Sequence, residues 1–288
     1  MTAGVPAGQR LVLEAGDARL EIAPDLGGRI VSFTVEGREL LVTSAADDIR
    51  YGSFPMVPYA GRVRDGSFTF RGQRHRLPLN LPPHAIHGTV HVRGWTVEDE
   101  RTIATDLEEP WPFAGRVVQG FELGPDRLTV TMAVSAVEPM PVALGWHPWF
   151  RRHLDDPAPA GRSAPAELGF EAAIMFDRDP DGIASRRRVP PAPRPWDDCF
   201  TEIRRGPTIT WPGFLTLALS TSLAYWVIYD ETPHAICIEP QSAPPDDLNH
   251  DPLVIEAGQV VRASMTWHWT AAPDRADGAG GADRTARS

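Results

Sequence analysis

Five side chains able to move a proton or hold a polar ligand stand in apolar or loop-rich surroundings: Arg62 in PYAGRVRDG, His87 in HAIHG, His147 in GWHPWF, Asp197 in PWDDCF and Glu239 in CIEPQSAPPD. Glu239 carries the sharpest signal. AICIE reads as a buried strand that delivers a carboxylate at its end, just before Pro240, which is expected to stop the ladder. An unpaired buried carboxylate is costly, so Glu239 has a partner or is held ready for a ligand. His147 lies among Trp146, Trp149, Pro148 and Phe150, where it is either a hydrogen-bonded core histidine or an imidazole held for proton transfer. A carboxylate and an imidazole together make a general acid/base pair for neutral pH. The other three have two readings each. His87 before Gly88 is a turn residue or a second imidazole of a site. Asp197 after Pro195 is an Asx-turn or cap, or a ligand contact. Arg62 pairs with Asp65 at the surface or binds a ligand.

Several familiar signatures are missing: no GxSxG elbow, no Walker loop, no GxGxxG after a strand and no HExxH. Nucleotide, acyl-enzyme and zincin chemistry thereby lose their markers. Two neutral imidazoles and a carboxylate, His87, His147 and Glu239, would suit zinc chemically. Their spacing offers no local ligand pair, so no metal is expected.

The elements that must position these residues follow a period of two. In RLTVTMAVS (Arg127–Ser135) Leu128, Val130, Met132 and Val134 share one face, and the same alternation marks Leu215–Ser220 and Val261–Trp269. Shorter extended runs are Leu11–Ala15, Arg29–Gly37, Ser67–Gly72, Trp95–Asp99, Arg116–Leu123, Ala224–Asp230 and Ala235–Glu239. With 29 Pro and 25 Gly as punctuation and no sustained helical period, the pattern predicts an all-β chain. The expected form is a large antiparallel sandwich or barrel with few, short helices. PAPAGRSAP (Pro157–Pro165) and VPPAPRP (Val189–Pro195) read as loops within one domain, residues 1–270, followed by a disordered tail, residues 271–288.

The formal charge of −10, with all 28 basic residues Arg, argues against a nucleic-acid or anionic-membrane surface. Cys199 and Cys237 are too few and too far apart for a disulfide framework. The N-terminal MTAGVPAGQRLVLEAG has no basic segment followed by an apolar run, and no stretch approaches a membrane span. A cytoplasmic, soluble monomer or homodimer is the expectation.

In order along the chain, GGRIVSF (Gly27–Phe33), PYAGRVRDGSFTFRGQRHRLPLN (Pro58–Asn80), HAIHG (His84–Gly88), GWHPWF, PWDDCF and IEPQSAPPDDLN (Ile238–Asn249) resemble the aldose 1-epimerase, or galactose mutarotase-like, family over about the first 270 residues. The resemblance implies a large antiparallel β-sandwich with an open sugar-binding face and a small-molecule sugar as partner. It makes Glu239 the general base, His147 the general acid, His87 a second histidine near the ring oxygen, and Arg62 and Asp197 hydroxyl-binding groups. Anomer exchange needs one base at the C1 hydroxyl and one acid at the ring oxygen, with no cofactor. That chemistry suits an ionised Glu239 and a protonated His147. Trp149 becomes a candidate platform for stacking on the sugar. The chain departs from the family where Gly61 replaces the Asn of PYANR, where HPWF replaces HPYF, and where Ser220–Asp230 lacks a substrate-binding glutamine. A sugar phosphate substrate, as in hexose-6-phosphate 1-epimerases, would call for two or three Arg at the pocket rim. A non-catalytic carbohydrate-binding protein on the same fold is the other alternative.

Overall fold

The computed structural model describes residues 8, 10–154 and 164–271. The expected tail and most of the Pro157–Pro165 loop lie outside the described residues, although Ala271 itself ends a strand. The principal strands are β1 (Leu11–Ala15), β2 (Ala18–Ala23), β3 (Arg29–Val35), β4 (Ser53–Met56), β5 (Thr102–Leu107), β6 (Gly115–Leu123), β7 (Arg127–Ala136), β8 (Gly145–Arg151), β9 (Glu167–Arg178), β10 (Ala184–Val189), β11 (Asp197–Trp211), β12 (Leu215–Thr221), β13 (Tyr225–Tyr229), β14 (Ala235–Gln241) and β15 (Val260–Ala271). Helical segments among the described residues are three-residue 3₁₀ turns. The all-β antiparallel fold predicted from the alternation is observed, in the sandwich form that the family resemblance implied.

All the pairings between these strands are antiparallel. One layer runs β1, β2, β3, β4, β8, β14, β13 and the first half of β11, with β9 and β10 beyond. The second half of β11 leaves that layer and pairs with β12, which continues through β15, β7 and β6 to β5. The 15-residue β11 therefore carries the chain across from one layer to the other. Large rings fill the space between them: Trp267 of β15 packs against Phe33 of β3 at 5.4 Å and Phe150 of β8 at 5.0 Å. Aromatic side chains of this size each remove a large apolar area from water, beside the more numerous aliphatic residues of the core.

Strand β8 is buried on both faces, which resolves the histidine among tryptophans. Trp146 and Phe150 point into the sandwich, where the Trp146 indole N–H donates to Gln119 Oε1 at 3.0 Å. Gly145, His147 and Trp149 point the other way, onto the face covered by loops. Successive side chains of a strand alternate, so an apolar neighbour in sequence says nothing about the face His147 occupies. One local expectation is corrected. Pro240 does not end its strand: β14 continues to Gln241, with Pro240 paired to Trp226. The β8–β14 pairing is registered at Gly145–Gln241 and again at Trp149–Cys237, and Pro148 and Pro240 sit in the interval. Neither has an N–H to donate there.

Candidate active site

The register that sets Gly145 opposite Gln241 and Trp149 opposite Cys237 puts His147 opposite Glu239. Pairings with β4, β13 and β11 extend each of these positions into a row across the sheet. The middle row reads Phe54, His147, Glu239, Val227, Cys199, and beside it runs Trp149, Cys237, Tyr229, Asp197. Residues 92 positions apart in the chain thus meet because β8 and β14 are hydrogen-bonded neighbours. His147 Nε2 lies 3.2 Å from Glu239 Oε1; the two residues are 5% and 3% exposed.

A cavity of about 200 Å³ opens over these rows, with His87, His147, Glu239, Arg62, Asp197 and Tyr229 among its walls. Arg62 and His87 arrive together on a two-stranded ribbon, Arg62–Val63 against Ala85–Ile86. His87 adopts φ 63° and Gly88 φ 77°, so the pair makes a turn that also sets His87 in the cavity wall. A Cβ on Gly88 would fall 2.0 Å from Val57 O, which explains the glycine there. The His87 ring meets the His147 ring edge-on at 4.8 Å. Gly61 also has φ 67°, and Pro245 occupies the space next to it, 2.8 Å from where a Cβ would stand. The wall that carries an Asn in PYANR relatives is apolar in this chain.

At the rim Arg62 does not pair with Asp65. Its guanidinium lies 3.7 Å from Asp197 Oδ2 and donates to Gly182 O at 3.2 Å. Arg178 reaches the same Asp197 oxygen at 3.1 Å and Asp198 Oδ1 at 3.1 Å. Asp197 opens strand β11 rather than a free loop. Trp149 lines the cavity, but it is 3% exposed and its ring lies parallel to His147 at 5.3 Å. Its indole N–H is committed to Ile49 O at 2.8 Å. Trp149 therefore backs the imidazole, and the more open aromatic wall is Tyr229.

Burial changes the protonation expected from sequence. Desolvation pushes the Glu239 carboxyl well above the usual range, reinforced by Asp197 and opposed by Gln241 and Arg62. Desolvation also pushes His147 down to about 3, helped by Arg29 and His91, and pushes His87 well below its ordinary value. The pair favours a carboxylic acid and a neutral imidazole, not the ionised forms, because a low-dielectric floor penalises both charges. His87, His147 and Glu239 offer ligand atoms that all lie within 4.8 Å of one another, so the spacing that looked unsuitable in sequence is closed by the fold. Metal bonds of about 2.0–2.2 Å would require these side chains to draw together and the His147–Glu239 contact to open.

Sequence reasoning missed Gln241, Arg178 and Tyr229. Gln241 shares the face of Glu239 by simple alternation, a signal that was available. Arg178 had none, since its partners Asp197 and Asp198 are reached only through the β9–β11 pairing.

The sequence profile of the family described as Aldose 1-epimerase matches residues 9–267. Among curated proteins, the chain is 30% identical over 147 residues to the uncharacterized protein YphB of Escherichia coli K12, covering 48% of this chain and 50% of that one. It is 29% identical over 130 residues to galactose mutarotase of Sus scrofa, covering 41% and 35%. The matched stretches thus span half or less of these curated relatives. Two solved structures share the fold. A galactose mutarotase-like protein of Clostridium acetobutylicum superposes with TM-score 0.76 at 16% identity, covering 90% of this chain and 94% of that one. The galactose 1-epimerase of Lactobacillus acidophilus gives 0.74 at 14%, covering 91% and 94%.

Proposed function

Because the chain belongs to the aldose 1-epimerase family, we propose that it interconverts the α and β anomers of a free aldohexose, with Glu239 as base and His147 as acid. The observation that carries this reading is the 3.2 Å approach of two buried titratable groups, His147 and Glu239, on the floor of a cavity. The names of the Sus scrofa and Lactobacillus acidophilus relatives support the same class of reaction.

The chemistry balances within the pair. The resting site holds one proton on Glu239 beside a neutral His147. Transfer across the 3.2 Å gap gives a carboxylate and an imidazolium with no change of net charge, so no uncompensated charge is created in the buried site. Glu239 then takes the C1 hydroxyl proton while His147 gives its proton to the ring oxygen; the C1–O5 bond breaks and an aldehyde forms. Glu239 is again an acid and His147 again neutral, the forms that burial favours. Burial therefore favours the resting and ring-opened complexes alike over the ion pair between them, so the pair ends each opening in the protonation state from which closure starts. Rotation about C1–C2 presents the other face of the carbonyl. In closure Glu239 returns a proton to the carbonyl oxygen and His147 takes the one from the attacking C5 hydroxyl.

A free sugar is favoured over a sugar phosphate. Arg50, Arg62 and Arg178 line the cavity, the number expected of a phosphate rim, but each is already matched to a carboxylate: Asp47, Asp197 and Asp198. Binding a phosphate dianion there would set it against those carboxylates. Polarimetry of α-glucose, α-galactose and glucose 6-phosphate tests the assignment. Acceleration on the free sugars is expected; preference for the phosphate would reverse the choice of substrate. Sugar binding without acceleration on any of the three would make the chain a carbohydrate-binding protein instead.

A further inference from the structure

Gln241 is 1% exposed, stands two residues after Glu239 on the same face of β14, and lines the same cavity. Its Nε2 donates to Glu239 Oε2 at 3.2 Å, while His147 occupies the other carboxylate oxygen at 3.2 Å. The opposite end of the amide, Oε1, is buried and has no hydrogen-bond partner. A buried acceptor left unpaired is rare and costly in a folded protein. A buried amide oxygen in a cavity wall can recover that loss by accepting from a hydroxyl brought in by the occupant.

We propose that Gln241 is a specificity-determining residue that reads the C2 hydroxyl of the aldose, accepting its proton on Oε1 while Nε2 holds the base in place. The inference rests on the epimerase reading, which fixes the sugar's orientation. Around the anomeric carbon, O1 has two neighbours: the ring oxygen and O2. In that reading His147 faces the ring oxygen and Glu239 faces O1, so Gln241, which contacts the Glu239 oxygen that His147 does not, meets O2. With the Glu239 proton on Oε1, toward the neutral His147, turning the amide over would bring its oxygen against the unprotonated Oε2, so the base dictates which end of Gln241 is offered to substrate. Position 241 thus couples alignment of Glu239 to recognition of the neighbouring hydroxyl, in a site that lacks the Asn amide at position 61.

Polarimetric kcat/KM for glucose and galactose against their 2-deoxy counterparts, in the wild type and in Gln241→Met, tests this. The wild type should favour the 2-hydroxy sugars by at least ~10-fold, since an unmatched buried acceptor is penalised when the hydroxyl is missing. Gln241→Met, which has no acceptor to satisfy, should bring that ratio within ~3-fold while slowing both sugars through the loosened base. Equal wild-type rates on both sugars, or a ratio that survives the substitution, would overturn the assignment. Dissociation constants of the same four sugars, followed by tryptophan fluorescence, give the ratio independently of turnover. A chain that binds with the expected ratio but accelerates nothing would defeat the epimerase reading and leave the contact standing. A Gln241→Met protein with a wild-type melting profile rules out a folding defect as the cause of the change.

Discussion

The floor and the rim of the cavity use charged side chains in opposite ways. On the floor, Glu239, His147 and His87 are buried, pushed toward their neutral forms, and sparsely hydrogen-bonded; the Nδ1 atoms of both histidines have no partner. At the rim, Arg62, Arg178, Asp197 and Asp198 are mutually paired and closer to water. A neutral floor keeps proton affinities adjustable by whatever enters, whereas a paired rim holds its geometry whether or not a ligand is present. On the proposed function, proton transfer falls to the floor and the rim holds the outer hydroxyls of the substrate.

The largest expected effect follows from that division. Glu239→Gln and His147→Asn should each lower kcat by at least ~10²-fold, the usual scale for a positioned acid or base. Stopped-flow polarimetry on α-glucose provides the measurement, and a loss under threefold in either variant would remove that residue from the proton path. At the rim, Arg62→Ala should raise KM by about 10-fold and leave kcat within about threefold. A hydrogen bond from a charged donor is worth roughly 1.5–3 kcal/mol, and a group that holds ground and transition state alike appears in KM. A fall in kcat as large as that of the floor variants would merge the two regions into one functional unit.

How much of this could be read from residues alone depends on which faces of a strand meet water. Strands with one wet face, such as Arg127–Ala136 and Leu215–Thr221, announce themselves by alternation. GWHPWF does not, because β8 is packed on both sides and loses the polar half of the pattern. Strand β11 is hidden for a different reason. Glu202 within it has φ 55°, and Gly206 and Pro207 interrupt it where pairing passes from β13 to β12. The convergent floor residues stood out in sequence because an isolated carboxylate or imidazole in an apolar run is physically conspicuous. The rim was only half legible: an Arg in a loop and an Asp after a proline look like surface, and their pairing exists only once β9, β11 and the Arg62 ribbon are assembled. The protonation of the floor was not legible, since desolvation depends on what covers the strand face rather than on neighbours in sequence.

The smallest effect sharpens the contrast through stability rather than rate. His147 titrates near 6.5 when unfolded and at about 3 in the folded chain. Between those values the unfolded state binds a proton that the folded state refuses, so the contribution of His147 to stability falls as pH is lowered through this window. Glu239 acts in the opposite sense: its folded carboxyl keeps a proton above the unfolded value near 4.5, so acidification toward that value favours folding and partly offsets the histidine. His91, held down to about 4, and His87 add to the histidine side. The total slope therefore mixes several groups, but the difference between wild type and His147→Asn isolates one. Urea unfolding at pH 6.0 and 4.5 should show the variant losing less stability than the wild type, by up to about 1.4 kcal/mol per pH unit. Equal slopes would mean that His147 binds its proton in the folded chain as readily as in the unfolded one over this window, placing an imidazolium against Glu239 at acid pH and giving the floor the paired character of the rim.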